Sequence, residues 1–341
     1  MSNSATPAPT KPERAAEPFS APSQAAASHA AMSPAIAYLV LGSVVLLWGV
    51  NWPIMKIAIS VITPIWFVFA RLALGCLCLF AIVAATNRLA FPKRADWPIV
   101  LSVGWLQMAL YMVMVNVGLA YTPAGRASLI AYSMPIWVVP CAFLLLKERI
   151  TPLKLAGVVA GTCGIAALFN PAALDWHDGG KVFGSFCLLG AALAWSMVIL
   201  HSRRHRWQSS PLALAPWQML VALPPLILAG FWIEGPPHPV WSPTLTWILL
   251  YNGPLATAFC FWAVVSVQRA LPASTASVSF LGVPVCGIAS ATLALGEPIG
   301  LDMWAGGGLV LAGVALTAIA DRRRGRVSSD PPQRVGMAKI S

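Results

Sequence analysis

Charge is what this sequence has least of. Only 10% of its 341 residues are charged, against about a quarter in a soluble domain, while 58% are hydrophobic. Such a chain has nothing with which to cover an aqueous surface. Acids are the scarcer sign: eleven carboxylates stand against 22 Lys and Arg. All eleven lie in tails, loops or helix ends, and none sits in the middle of an apolar run. That argues against a pump for cationic drugs, which would use a buried carboxylate to hold the cation or exchange a proton. No pair of the seven cysteines has CxxC spacing and no His stands at a metal-ligand spacing, so no metal site is expected and the cysteines read as small apolar filler. HExxH, P-loop and GxSxG motifs are missing, and with them any signature of a hydrolase, an ATPase or a bound cofactor. The net charge of +11 does not imply nucleic acid, because the basic residues sit in short loops between apolar runs. A cleavable signal peptide is not expected either: the first apolar run begins at Ile36 and is too long for one.

Apolar runs are what the chain does have. Ten recur, at about 36–62, 64–86, 98–120, 124–146, 152–170, 182–201, 211–233, 244–268, 272–295 and 302–320. Each is near the ~20 residues that cross a bilayer, and the short loops between them favour antiparallel neighbours. A membrane barrel would show alternating strands instead. With the N-terminus placed in the cytoplasm, 18 of the 22 Lys and Arg fall on the inner side, which leaves only Lys56, Arg71, Arg126 and Lys181. The positive-inside bias therefore expects both termini in the cytoplasm.

The stretch from Pro123 to Gly164 returns 149 residues later, without a gap, as Pro272 to Gly313. Thirteen of the 42 positions are identical, including Pro135 with Pro284, Glu148 with Glu297, Gly157 with Gly306 and Gly164 with Gly313. Five spans per copy is an odd number, so the second copy enters the membrane upside down. The expected fold is an all-α polytopic membrane protein of ten transmembrane helices arranged as two inverted five-helix repeats. Residues 35–171 and 180–321 form the repeats, 1–34 a disordered cytoplasmic tail and 322–341 a basic one. Inverted repeats suit alternating access, since each half can adopt the other's conformation. The glycines of helices 5 and 10 are expected to pack these helices closely, within or between protomers.

Helix 1 reads LLWGVNWPIMK, with Trp48, Gly49, Asn51 and Lys56, and helix 2 places Arg71 seven residues after Pro64. These pieces resemble the WG-x-N-x-x-x-x-K and P-x(6)-R patterns of the drug/metabolite transporter superfamily, and more closely of its EamA-like permeases. The resemblance spans about residues 36–320. It implies a transporter of small metabolites, commonly an exporter of amino acids or related compounds across a bacterial inner membrane, with a homodimer as an option. Helix 6 departs from the pattern: it keeps Trp195 but has Ser196 where Gly49 stands and lacks a matching Asn or Lys.

Read as chemistry, Pro53 leaves the Gly49 carbonyl without its helix partner, so another donor must serve it. Lys56 and Arg71 lie at similar depth, ~9–10 Å from the same membrane face at helical rise, and bias a cavity towards a zwitterion or an anion. Trp48, Asn51, Lys56, Arg71, Trp105, Gln107, Tyr111, Tyr132, Trp195, Gln218, Asn252, Trp262 and Ser279 are the candidates for lining that cavity; Asn116 could instead bond between helices. Pro53, Pro135 and Pro284 are candidate helix breaks. Glu148 and Glu297 are candidate gates on opposite faces. Trp66, Trp97, Trp176, Trp207, Trp241 and Trp304 read as interfacial anchors. The partners implied are a small-molecule substrate and the lipid bilayer. Two alternatives stand beside export of metabolites. One is a multidrug or nucleotide-sugar transporter of the same superfamily. The other is a lipid-modifying membrane enzyme, which would need carboxylates, His or Ser clustered at one interface.

Overall fold

A computed structural model describes residues 33–147, 150–169, 175–271 and 279–329. All regular structure in this range is helical. Among the described residues eight helices are long and apolar enough to cross a membrane: α1 (Pro34–Ala58), α2 (Pro64–Ala85), α3 (Arg94–Tyr121), α4 (Ala124–Leu145), α6 (Gly179–Arg204), α7 (Pro211–Glu234), α8 (Pro243–Val267) and α10 (Leu301–Ala320). Two shorter apolar helices, α5 (Pro152–Leu168) and α9 (Gly282–Leu295), complete the series. Glu148 and residues 272–278, the expected start of helix 9, lie outside the described residues.

The helix starts follow one local rule. Ser33-Pro34, Thr63-Pro64, Thr151-Pro152, Ser210-Pro211 and Ser242-Pro243 each set a hydroxyl at the N-cap and a proline in the first turn. The hydroxyl accepts from a free amide of the first turn in four of the five, and proline has no amide to leave unpaired there. α4 is broken at Tyr132-Ser133, with Pro135 at the start of its second segment. Pro284 falls in the first turn of α9, the corresponding place. At their far ends Lys147 (φ 54°) and Gly296 (φ 68°), 149 residues apart, both hold the left-handed conformation that terminates a helix.

Packing between the two halves comes in matched pairs. α2 packs on α8 and α7 on α3; α1 packs on α9 and α6 on α4; α3 packs on α6 and α8 on α1. α5 and α10 lie antiparallel with backbones touching. A Cβ on Gly157 would meet the Gly313 carbonyl at 2.8 Å, and one on Gly164 would meet that of Gly306 at 2.6 Å. The glycine faces of these two helices are thus used within one chain. Large apolar side chains such as Leu77, Leu228, Leu293 and Trp232 project outward, as lipid-facing residues do. Trp176, Trp241 and Trp304 are exposed at helix ends as interfacial anchors would be, whereas Trp66 is buried and donates its indole N–H to the Gly235 carbonyl.

Candidate functional site

α1 sets up the site. The Gly49 carbonyl orphaned by Pro53 is served by the Ser290 hydroxyl of α9, at 3.3 Å. Gly49 also permits that approach, since a Cβ there would run into Cys286 at 2.3 Å. The free donor is therefore a side chain of the other half. Around this point α1 presents Trp48, Asn51, Trp52 and Met55 to a cavity between the two halves. Arg71, Gln107, Tyr111, Tyr132, Trp195 and Thr257 also line it, with Met108, Met112, Val115, Ala256 and Phe261.

Aromatic rings make one continuous wall. Trp52 meets Tyr132 (6.3 Å between centroids), Tyr132 meets Trp195 (6.5 Å) and Trp195 meets Tyr111 edge-on (4.6 Å). Trp48 is fixed by its indole N–H, which donates to the Ala256 carbonyl at 2.9 Å. Arg71 is 3% exposed. Its guanidinium donates to the Thr257 hydroxyl at 3.2 Å and to the weak thioether acceptor of Met55, and it lies 5.9 Å from the Phe67 ring centre. Its Nε is buried with no acceptor. Among the described residues no carboxylate lines the cavity. The buried guanidinium is thus met only by a hydroxyl, a thioether and a ring face.

One end of the bundle is shut by charged groups that complement helix dipoles. Glu297 follows the left-handed cap of α9 and so belongs to the loop. There its carboxylate accepts from the Ala124 and Gly125 amides (2.7 and 3.0 Å) at the N-terminus of α4. Glu234 does the same for α2, accepting from the Ile65 and Trp66 amides and from the Thr63 hydroxyl. Arg126 pairs with Asp302. A carboxylate is disfavoured at the C-terminal end of its own helix but favoured at the N-terminus of a neighbour's. Cavity residues near this end, such as Met55, Val115 and Arg71, are buried, whereas Trp48, Gln107, Trp195 and Phe261, further along, are half-exposed. The cavity opens away from the shut end.

Of the thirteen lining candidates, the structure brings together Trp48, Asn51, Arg71, Gln107, Tyr111, Tyr132 and Trp195, and six lie elsewhere. Lys56 turns from the cavity to the carbonyls of Leu119, Ala120 and Thr122, where a cation satisfies the unpaired C-terminus of α3. Trp105 is exposed and donates to the Val221 carbonyl. Gln218 is buried on α7. Asn252 bonds back to Ile248 on its own helix, as Asn116 does to Met112. Trp262 packs on Phe259, and Ser279 stands before α9, half-buried. Residues missed from sequence are mainly apolar: Trp52, three methionines and Phe261 carry no polar signal within an apolar run. Thr257 was detectable only through its bond to Arg71.

The description "EamA-like transporter family" matches residues 35–170 and again residues 182–319. An uncharacterized transporter of Bacillus subtilis, YoaV, is 28% identical over 282 residues, 83% of this chain and 96% of its own. A probable amino-acid metabolite efflux pump of Salmonella typhimurium is 26% identical, over 84% of this chain and 96% of its own. A probable terminal-alkyne amino-acid exporter of Streptantibioticus cattleyicolor is 27% identical, over 89% and 99%. One solved crystal structure shares the fold with a TM-score of 0.59 at 22% identity, covering 86% of this chain and 99% of that one.

Proposed function

The chain belongs to the EamA-like transporter family, and on that premise we propose that it exports amino acids or related zwitterionic or anionic metabolites by alternating access. It is a transporter rather than an enzyme, in a membrane. In this reading the two halves are inverted copies in a bacterial inner membrane, with both termini in the cytoplasm and the shut end facing out. The matched packing of α2 on α8 and α7 on α3, and the paired helix caps at Lys147 and Gly296, support the inversion. The distribution of Lys and Arg supports the orientation.

The observation that carries the substrate class is Arg71, a buried cation with an unsatisfied Nε in a cavity walled by aromatic rings. It supplies the donor for a carboxylate, and the rings supply contact for an apolar or ammonium-bearing remainder. The same charge repels the cations that a multidrug carrier would take. Glu297 holds the outer gate by capping α4. Glu148, its counterpart, serves the inner one, and the breaks at Pro53, Pro135 and Pro284 let the helices bend as the gates exchange. A homodimer would need a surface other than the α5 and α10 glycine faces, which are occupied.

The test is flux into proteoliposomes across the twenty amino acids, their deaminated acids and their decarboxylated amines. Compounds with a carboxylate are expected to move and the bare amines are not. Arg71→Gln lowers uptake of the carboxylates by about tenfold or more, the worth of a charged hydrogen bond. Transport of the amines at rates equal to the acids would refute the reading.

A further inference from the structure

The two halves match in packing and differ in chemistry, and the difference is concentrated at the cavity. In α6 and α7 the counterpart of each residue of α1 and α2 lies 147 positions on, where Trp48 meets Trp195 and Thr63-Pro64 meets Ser210-Pro211. In α8 and α9 the shift from α3 and α4 is 149. The packing obeys both shifts at once. A Cβ on Gly104 would meet Gln218 and Val221; one on Gly253 would meet Arg71 and Leu74. By this correspondence Arg71 answers to Gln218, Asn51 to Val198, Tyr111 to Cys260 and Tyr132 to Leu281. The first of each pair lines the cavity and the second does not. Trp48 and Trp195 both line it, as residues beside a two-fold axis should.

When inverted halves exchange conformations, each residue takes the surroundings its counterpart had. Gln218, Val198, Cys260 and Leu281 then face the cavity, and Arg71, Asn51 and the two tyrosines withdraw from it. We infer that this carrier has two unequal substrate sites: a strong one bearing the guanidinium in the conformation described here, and a weak, apolar one in the opposite conformation. The tryptophan pair is common to both and holds the substrate's body throughout. This rests on the reading of Arg71 as the carboxylate anchor and of the halves as inverted. With the shut end facing out, the strong site loads from the cytoplasm and the weak one releases outside.

Exchanging a guanidinium–carboxylate contact for an amide one lowers affinity about tenfold. A passive carrier can have no net flux at equal concentrations, so the weak face must show a maximal rate raised by the same factor. The measurement is uptake in inside-out and right-side-out vesicles without an imposed gradient, using the amino acid of greatest flux in the panel above. For the unmodified protein, the half-saturating concentration is expected about tenfold lower at the cytoplasmic face. Gln218→Arg brings the two faces to near equality, and Arg71→Gln combined with Gln218→Arg reverses their order. Equal half-saturation at both faces of the unmodified protein overturns the inference while leaving carboxylate transport intact. So does an asymmetry that Gln218→Arg leaves unchanged. If no carboxylate moves in the panel, the inference and the reading beneath it fall together.

Discussion

Removing the charge of Glu297 should unlatch the shut end without touching the cavity. The carboxylate is half-buried and accepts two amides of α4, at 2.7 and 3.0 Å. Hydrogen bonds to a charged group are worth about 1.5–3 kcal/mol each, and neutral ones about half that. A carboxylate at a helix N-terminus adds about 0.3–1 kcal/mol more. Glu297→Gln keeps one acceptor oxygen, loses the other and loses the charge, so at the lower end of these figures the closed end is weakened by about 2.5 kcal/mol, roughly a 70-fold shift in the equilibrium between conformations. Met55 reports that shift, because it lies 5% exposed beneath the closed end. With Met55→Cys as the reporter, in a background lacking the seven native cysteines, labelling by a membrane-impermeant maleimide from the outer face should quicken by a comparable factor in Glu297→Gln. Glu297→Asp, too short by one methylene but still charged, should fall between. Unchanged labelling in the Gln variant, with the protein correctly inserted, would refute the latch.

Two further outcomes test the packing and the backbone. Gly313→Ala places a Cβ 2.6 Å from the Gly157 carbonyl; such overpacking is expected to destabilise by about 1–3 kcal/mol and to lower the melting temperature in detergent, while Gly308→Ala, with open space around it, should not. Lys147 holds φ 54° where its counterpart is Gly296, so Lys147→Gly relieves about 1 kcal/mol of left-handed strain and should raise the same melting temperature.

Much of the architecture was legible because a membrane simplifies the code. Apolar length marks each span, Ser/Thr-Pro marks five helix starts, and the 149-residue repeat marks which pieces correspond. The site was harder to read, and Lys56 shows why. A charge within an apolar run announces that it needs partners, but not which ones. Arg71 found a cavity, whereas Lys56, at similar depth, found three carbonyls at the end of α3. Sequence also shows a helix-terminal acid as an offence against its own dipole, because the helix it serves lies 173 positions away in the chain. Trp52, Met108, Met112 and Phe261 were invisible for the opposite reason, since an apolar residue facing a cavity looks like one facing lipid.

The α5–α10 pair has a mechanical consequence. Helices whose side chains interdigitate can slip by changing rotamers, but these two meet backbone to backbone, with Gly157 on Gly313 and Gly164 on Gly306. No side chain lies between them at these contacts to take up a slide, so the contact favours rolling over sliding. In the proposed alternating access they act as the hinge pin of the two halves. A small roll there becomes a larger sweep with distance from the pin, so the far wall of the bundle travels most while the pin itself stays shut.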